Sequence, residues 1–119
     1  WELVVALPGG AVGRDWVATL DTTDRRAVYL SEGLGHAFCA LEDDTTAMYL
    51  CTATYNPTGE HGIHPLDAEV GLTLPDGIEP LLSAKDEAAP TLADAAASGL
   101  LPTYAACTAW AATLAERPR

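Results

Sequence analysis

The spacing of turn signals is what most constrains this chain. "PGG", "DTTD", "SEGLG", "EDDT", "NPTGEHG" and "LPDG" interrupt the first three quarters of the sequence. Between them lie short runs rich in Val, Leu, Thr and Tyr: Glu2–Leu7, Asp15–Leu20, Ala27–Leu30, Ala37–Leu41, Thr46–Tyr55 and Val70–Leu74. A parallel pair needs a crossover, usually helical, of about a dozen residues or more, and this spacing leaves no room for one. Short strands so closely spaced predict an all-β antiparallel sandwich or barrel.

The pattern changes near Ser83. "DEAAPTLADAAASG" carries acidic residues early and Ser-Gly at its end, as a short helix with favourable macrodipole charges would. A second helix is expected over Tyr104–Glu116. There Tyr104, Cys107, Trp110, Ala111 and Leu114 recur at helical spacing and form one apolar stripe, expected to pack on the barrel or on a partner subunit. The Ala-rich tail is a helix former and not a linker. The whole reads as a single domain, with strands over 1–82 and a helical segment over 83–119.

With 119 residues, the chain can bury one real core, and a hydrophobic fraction of 49% is that of a globular protein. Net charge is −11 with only six basic residues, a surface that repels nucleic acid and anionic membranes. No apolar run approaches a membrane span. The three cysteines, Cys39, Cys51 and Cys107, stand at no ligand spacing and read as buried thiols of a reducing cytoplasm. The text opens on "WELVVAL", without an initiator Met or signal peptide and already strand-like, so residues upstream are expected.

Several residues can carry chemistry. His36, in "EGLGH", follows glycines that permit a tight turn aiming the next side chain into a barrel mouth; a core histidine is the blander alternative. In "TTAMYLCTATYNP", strand parity puts Tyr49, Cys51, Ala53 and Tyr55 on one face. Two phenols over small neighbours can line a pocket, and one can serve as a general acid; plain aromatic packing is the alternative. Glu60, His61 and His64 invite a zinc reading, but the stretch is Gly- and Pro-rich and a polar loop is the better one. Lys85 and Asp86 stand side by side before a helix. They are either an acidic helix start or a phosphate-binding cation beside a carboxylate that orients a histidine.

The order of these motifs is specific. "RRAVYLSEGLGHAFCALEDDTTAMYLCTATYNPTGEHGI", then "LDAEVGLTLP", then "LLSAKDEAAPTLADAAASGLLP" closely resembles the dTDP-4-dehydrorhamnose 3,5-epimerase family, the RmlC-like cupins, in an actinobacterial form. The resemblance runs from about Trp1 to Pro102. It implies a cupin jelly roll with short C-terminal helices, usually a cytoplasmic homodimer. It also implies inversion of C3, C5 or both of a dTDP-4-keto-6-deoxy sugar, with no cofactor and no metal. By the same resemblance Tyr49 matches the catalytic acid and Asp86 the carboxylate that pairs with a histidine base. His36, Tyr55 and Glu60 match substrate-binding positions, and Lys85 sits near the diphosphate.

The sequence also departs from the family. The "R-G-L-H" stretch that holds the family's base is absent, as is the lysine after it. Ala6 and Pro8 stand where "V-D-x-R" has its Asp and Arg, and Ala37 replaces the glycine of "H-G-F". The alternative to an epimerase is therefore a catalytically inactive relative that binds a sugar nucleotide, or a dimeric structural module.

Overall fold

The computed structural model describes residues 2–6, 16–31 and 33–115. Val- and Leu-rich β1 (Glu2–Ala6) lies in the middle of a three-stranded antiparallel sheet. It pairs with β2 (Trp16–Thr19) on one edge and β3 (Gly35–Cys39) on the other. Leu3 faces Ala18 across one ladder and Phe38 across the other; Val5 faces Trp16 and His36. After β2 the chain turns on Asp21, whose Oδ1 accepts the N–H groups of Thr23 at 2.8 Å and Asp24 at 2.7 Å. These two donors, Asp24 first, hold the Asp21 carboxyl below its usual range. Arg26 then donates to the Thr19 carbonyl at 2.9 Å, fastening the turn to the end of β2.

The sheet is smaller than the sequence pattern predicts. Ala27–Leu30, Thr46–Tyr55 and Val70–Leu74 form no ladder among the described residues. β-propensity describes how a side chain fits a pleated, half-buried surface; without a neighbouring strand it does not make a strand. β3 starts two residues earlier than expected, so His36 lies within the strand and not at its mouth. Leu7, Pro8, Asp15 and Glu116, which figured in the expected elements or departures, lie outside the described residues.

The helical tail lies where the sequence predicts it but is divided differently. The single helix expected over "DEAAPTLADAAASG" is two: α1 (Ala84–Glu87) and α2 (Leu92–Ala97). Pro90 separates them, because it lacks an N–H and pushes Ala89 out of the helical region. Each has a hydroxyl cap. Ser83 Oγ accepts the Asp86 N–H at 3.1 Å, and Thr91 Oγ1 accepts the Asp94 N–H at 3.1 Å. At the far end of α2, Gly99 takes a φ of 71° while its N–H bonds Ala96 O and the Leu100 N–H bonds Ala95 O. That is the reciprocal pair of a Schellman ending. α3 (Tyr104–Ala115) begins where Thr103 Oγ1 accepts the Ala106 N–H at 3.2 Å.

Burial is sparse. Among the residues whose burial is described, Ala18 and Ala95 are buried, Ala95 at 1% exposure. Met48 is 85% exposed and Leu50 96%. The accessible surface is 9443 Å², against about 6,100 Å² for a closed domain of this mass. No barrel closes among the described residues. The expected α3 stripe is only partly covered, with Cys107 and Leu114 half-buried and Tyr104 and Ala111 exposed.

Candidate active site

β3 carries His36 opposite Val5, and its imidazole is exposed. The turn before it is closed by the Leu34 N–H donating to Ser31 O at 3.4 Å. Gly33 holds a φ of +87° there, a left-handed conformation that favours glycine. Gly35 is different: it is already in the ladder, opposite Ala6.

Tyr49 and Tyr55 lie in the extended segment after β3, 76% and 65% exposed. The shared face expected from strand parity is not built among the described residues, because no ladder orders this segment. Tyr55 does find a neighbour thirty positions later in the chain. The Lys85 ammonium sits over its ring, 5.7 Å from the centroid. An ammonium at that distance is drawn to the negative face of the phenol ring. Just past Tyr55 the chain reverses over Asn56–Glu60. Glu60 Oε1 accepts the Asn56 N–H at 2.9 Å, and Asn56 Oδ1 accepts the Thr58 hydroxyl at 2.8 Å. Glu60 thus braces the loop that carries Tyr55.

Asp86, next to Lys85, stands in the first turn of α1. Its Oδ2 accepts the Ser83 hydroxyl at 2.7 Å while its own N–H returns to Ser83 Oγ. One carboxylate oxygen is therefore held by the cap. The structure brings Tyr55, Lys85, Asp86 and the Glu60 brace into one neighbourhood. No hydrogen bond or ion pair joins His36 or Tyr49 to that group among the described residues.

His64 has a different part from the zinc ligand considered above. Its Nδ1 accepts the Leu66 N–H at 3.2 Å, and its own N–H donates to Pro90 O at 2.9 Å. Among the described residues, no three His, Cys, Asp or Glu side chains gather in metal-binding geometry.

Sequence reasoning missed Asp67. Its Oδ2 accepts the Leu92 N–H at 2.7 Å, across twenty-five positions, and its Oδ1 accepts the Glu69 N–H at 3.2 Å. The Leu92 bond, then the Glu69 bond, holds the Asp67 carboxyl below its usual range. The "PLDAE" turn was a local signal for the Glu69 bond; nothing local pointed to α2. The three thiols are free, but they are not buried: Cys51 is exposed, Cys39 and Cys107 half-buried.

A groove of about 640 Å³ opens between the end of β3 and residues 78–81, lined by Cys39, Glu42, Asp43, Ile78, Glu79 and Leu81 among others. None of the candidate site residues lines it.

A histidine-bearing strand in an antiparallel sheet, a tyrosine-rich extended segment and a capped helical tail define a class that solved structures contain. The fold matches, with a TM-score of 0.82 and 49% identity, the crystal structure of ChmJ, a 3'-monoepimerase from Streptomyces bikiniensis in complex with dTDP-quinovose. That match covers 88% of this chain and 55% of ChmJ.

The family model of dTDP-4-dehydrorhamnose 3,5-epimerase matches residues 9–94, and the chain belongs to that family. It is 56% identical to a dTDP-4-dehydrorhamnose 3-epimerase of Streptomyces niveus, over 79% of this chain and 45% of that enzyme. It is 53% identical to a dTDP-4-dehydrorhamnose 3,5-epimerase of Mycolicibacterium smegmatis, over 83% of this chain and 49% of that enzyme. The chain thus spans about half the length of the curated relatives it matches. Among the described residues, no helix is long and apolar enough to cross a membrane.

Proposed function

We propose that this chain carries part of the active site of a sugar-nucleotide epimerase acting on a dTDP-4-keto-6-deoxy sugar, inverting C3, C5 or both. The observation that carries the reading is the 0.82 TM-score, at 49% identity, to a monoepimerase holding a dTDP-sugar. The chemistry is set by the ketone. A proton next to a carbonyl is removable only if the resulting enolate is stabilised, and inversion needs a base on one face and an acid on the other. Tyr49 is the acid in this reading. Asp86 orients a histidine base; its Oδ2 is already held by Ser83, which leaves Oδ1 for an imidazole. His36, Tyr55 and Glu60 bind the sugar nucleotide. Lys85 meets the diphosphate, at a position where Tyr55 already steadies its ammonium.

The base itself belongs to the "R-G-L-H" stretch, which this sequence does not contain. The domain is a cupin jelly roll, with residues 1–82 contributing strands and 83–119 a helical tail. The exposure of Met48 and Leu50 supports a covering layer drawn from the half of the relatives' length that this chain does not span. A homodimer in the cytoplasm completes the reading, and an exposed free Cys51 fits a reducing compartment.

A second reading rests on Ala6. It pairs with Gly35, one position from His36, where the family has an aspartate. With no carboxylate there, the chain would bind a sugar nucleotide without turning it over.

Deuterium wash-in tests both. A form of the protein that carries the "R-G-L-H" stretch is incubated in heavy water with dTDP-4-keto-6-deoxyglucose, and C3 and C5 are followed by proton NMR. Exchange at either carbon above the protein-free control is the expected result and names the centre. A melting temperature raised by dTDP-quinovose without any exchange assigns the chain to the second reading. Neither exchange nor a thermal shift, in a folded sample, removes both.

A further inference from the structure

One long-range contact has no part in the site described so far. No helix packs against a strand or another helix among the described residues. α3 nevertheless touches the first part of the chain. A Cβ built on Gly33 would collide with Cys107 Sγ, lie 3.1 Å from Cys107 Cβ and lie 3.9 Å from Pro102 Cγ. The thiol therefore rests directly on the Gly33 backbone, in the space that any side chain there would need. Glycine is required at this position twice over, by its φ of +87° and by the thiol above it.

The contact falls where it can matter. Gly33 lies inside the turn closed by the Leu34–Ser31 bond, and β3 starts two residues later with Gly35 and His36. The direction in which the chain leaves this turn sets how His36 enters the ladder against Val5. We infer that Cys107 is a positioning residue: by resting on Gly33 it pins the turn that aims His36, and so couples α3 to the sugar-nucleotide pocket. This rests on the pocket reading of His36. Sulfur suits the place, being small, polarizable and able to lie flat on a backbone that admits no Cβ. A branched side chain at 107 would push either α3 or the turn away.

The test uses the histidines as built-in reporters, since the chain has three: His36, His61 and His64. Their ring protons are followed by NMR across pH in the wild type and in Cys107→Leu, Cys107→Ala and Cys107→Ser. The expected result is a changed ring-proton chemical shift for His36 alone in Cys107→Leu. His61 and His64 keep theirs, and Cys107→Ser restores the wild-type pattern. Should Cys107→Leu fail to fold, Cys107→Ala, which suits a helix, carries the same expectation with a smaller shift. An unchanged His36 overturns the inference. So does an equal change at all three histidines, which would mark a general loss of packing. dTDP-quinovose affinity is measured separately and should fall roughly tenfold in Cys107→Leu. If no form of the protein binds dTDP-quinovose, the pocket reading fails, while the His36 signature still decides the positioning role.

Discussion

The sheet and the helical tail solve the same problem in opposite ways. Every backbone N–H and C=O needs a partner, and a helix finds most of them within itself. α1, α2 and α3 have the hydroxyls of Ser83, Thr91 and Thr103 at their starts, and α2 adds the Asp67 carboxylate on its Leu92 N–H. A strand finds its partners on another strand. Glu2–Ala6 has two neighbours and is a strand; Thr46–Tyr55, as rich in strand-forming residues, has none among the described residues and stays a ribbon. Local capping therefore supplies most of what the tail needs, whereas the first part of the chain depends on what lies beside it.

The largest expected effect sharpens this contrast on the functional side. Tyr49 lies in the unpaired ribbon, so the acid role proposed for it is separable from the packing of this chain. Tyr49→Phe in a catalytically active form should lower net epimerisation about a hundredfold or more, with dTDP-quinovose binding little changed. Equal loss of turnover and binding would instead make Tyr49 a packing or binding residue. On the structural side, the tail should be the more brittle half. Ala95, the most buried residue described, leaves no room for growth, so Ala95→Leu should cost about 2 kcal/mol in urea unfolding. A comparable loss from Leu50→Ala, at a residue 96% exposed, would break the contrast.

Removing a cap is a smaller test. Thr91→Ala deletes the acceptor for the Asp94 N–H and should cost about 1 kcal/mol, with loss of helical circular dichroism as its mark. The smallest effect is acid-dependent. The folded Asp67 carboxyl titrates below the ordinary aspartate pKa because it accepts the Leu92 and Glu69 N–H groups. Its stabilisation is therefore complete above that value and is lost as pH falls through the lowered folded pKa. Asp67→Asn should flatten this acid limb of stability, read from urea midpoints at successive pH. An unchanged limb would assign it to other carboxylates, Asp21 first, which is lowered by its own turn.

The parts of the fold legible in the sequence were those with local causes. The span of α3 follows from an uninterrupted run of helix formers after Thr103. β1 and β2 were legible from Val-rich runs between turns. The division of α1 from α2 was written in Pro90, although acidic and alanine residues on both sides read as one helix. The candidate site was legible as motifs. The approach of Lys85 to Tyr55 was not, because a residue pair thirty positions apart leaves no mark in either neighbourhood.

The sequence by itself determined which family this chain belongs to, that its tail is helical, and where glycine is required to turn. Those are short-range matters: a capping hydroxyl, a missing N–H, a left-handed φ. The tertiary structure alone decided which extended runs became strands, that Asp67 holds the start of α2, and that Cys107 rests on Gly33. Each of these joins groups far apart in the chain. A ladder, a long-range cap or a close packing contact exists only once loop closure has brought two distant backbones together, and no local preference records that event.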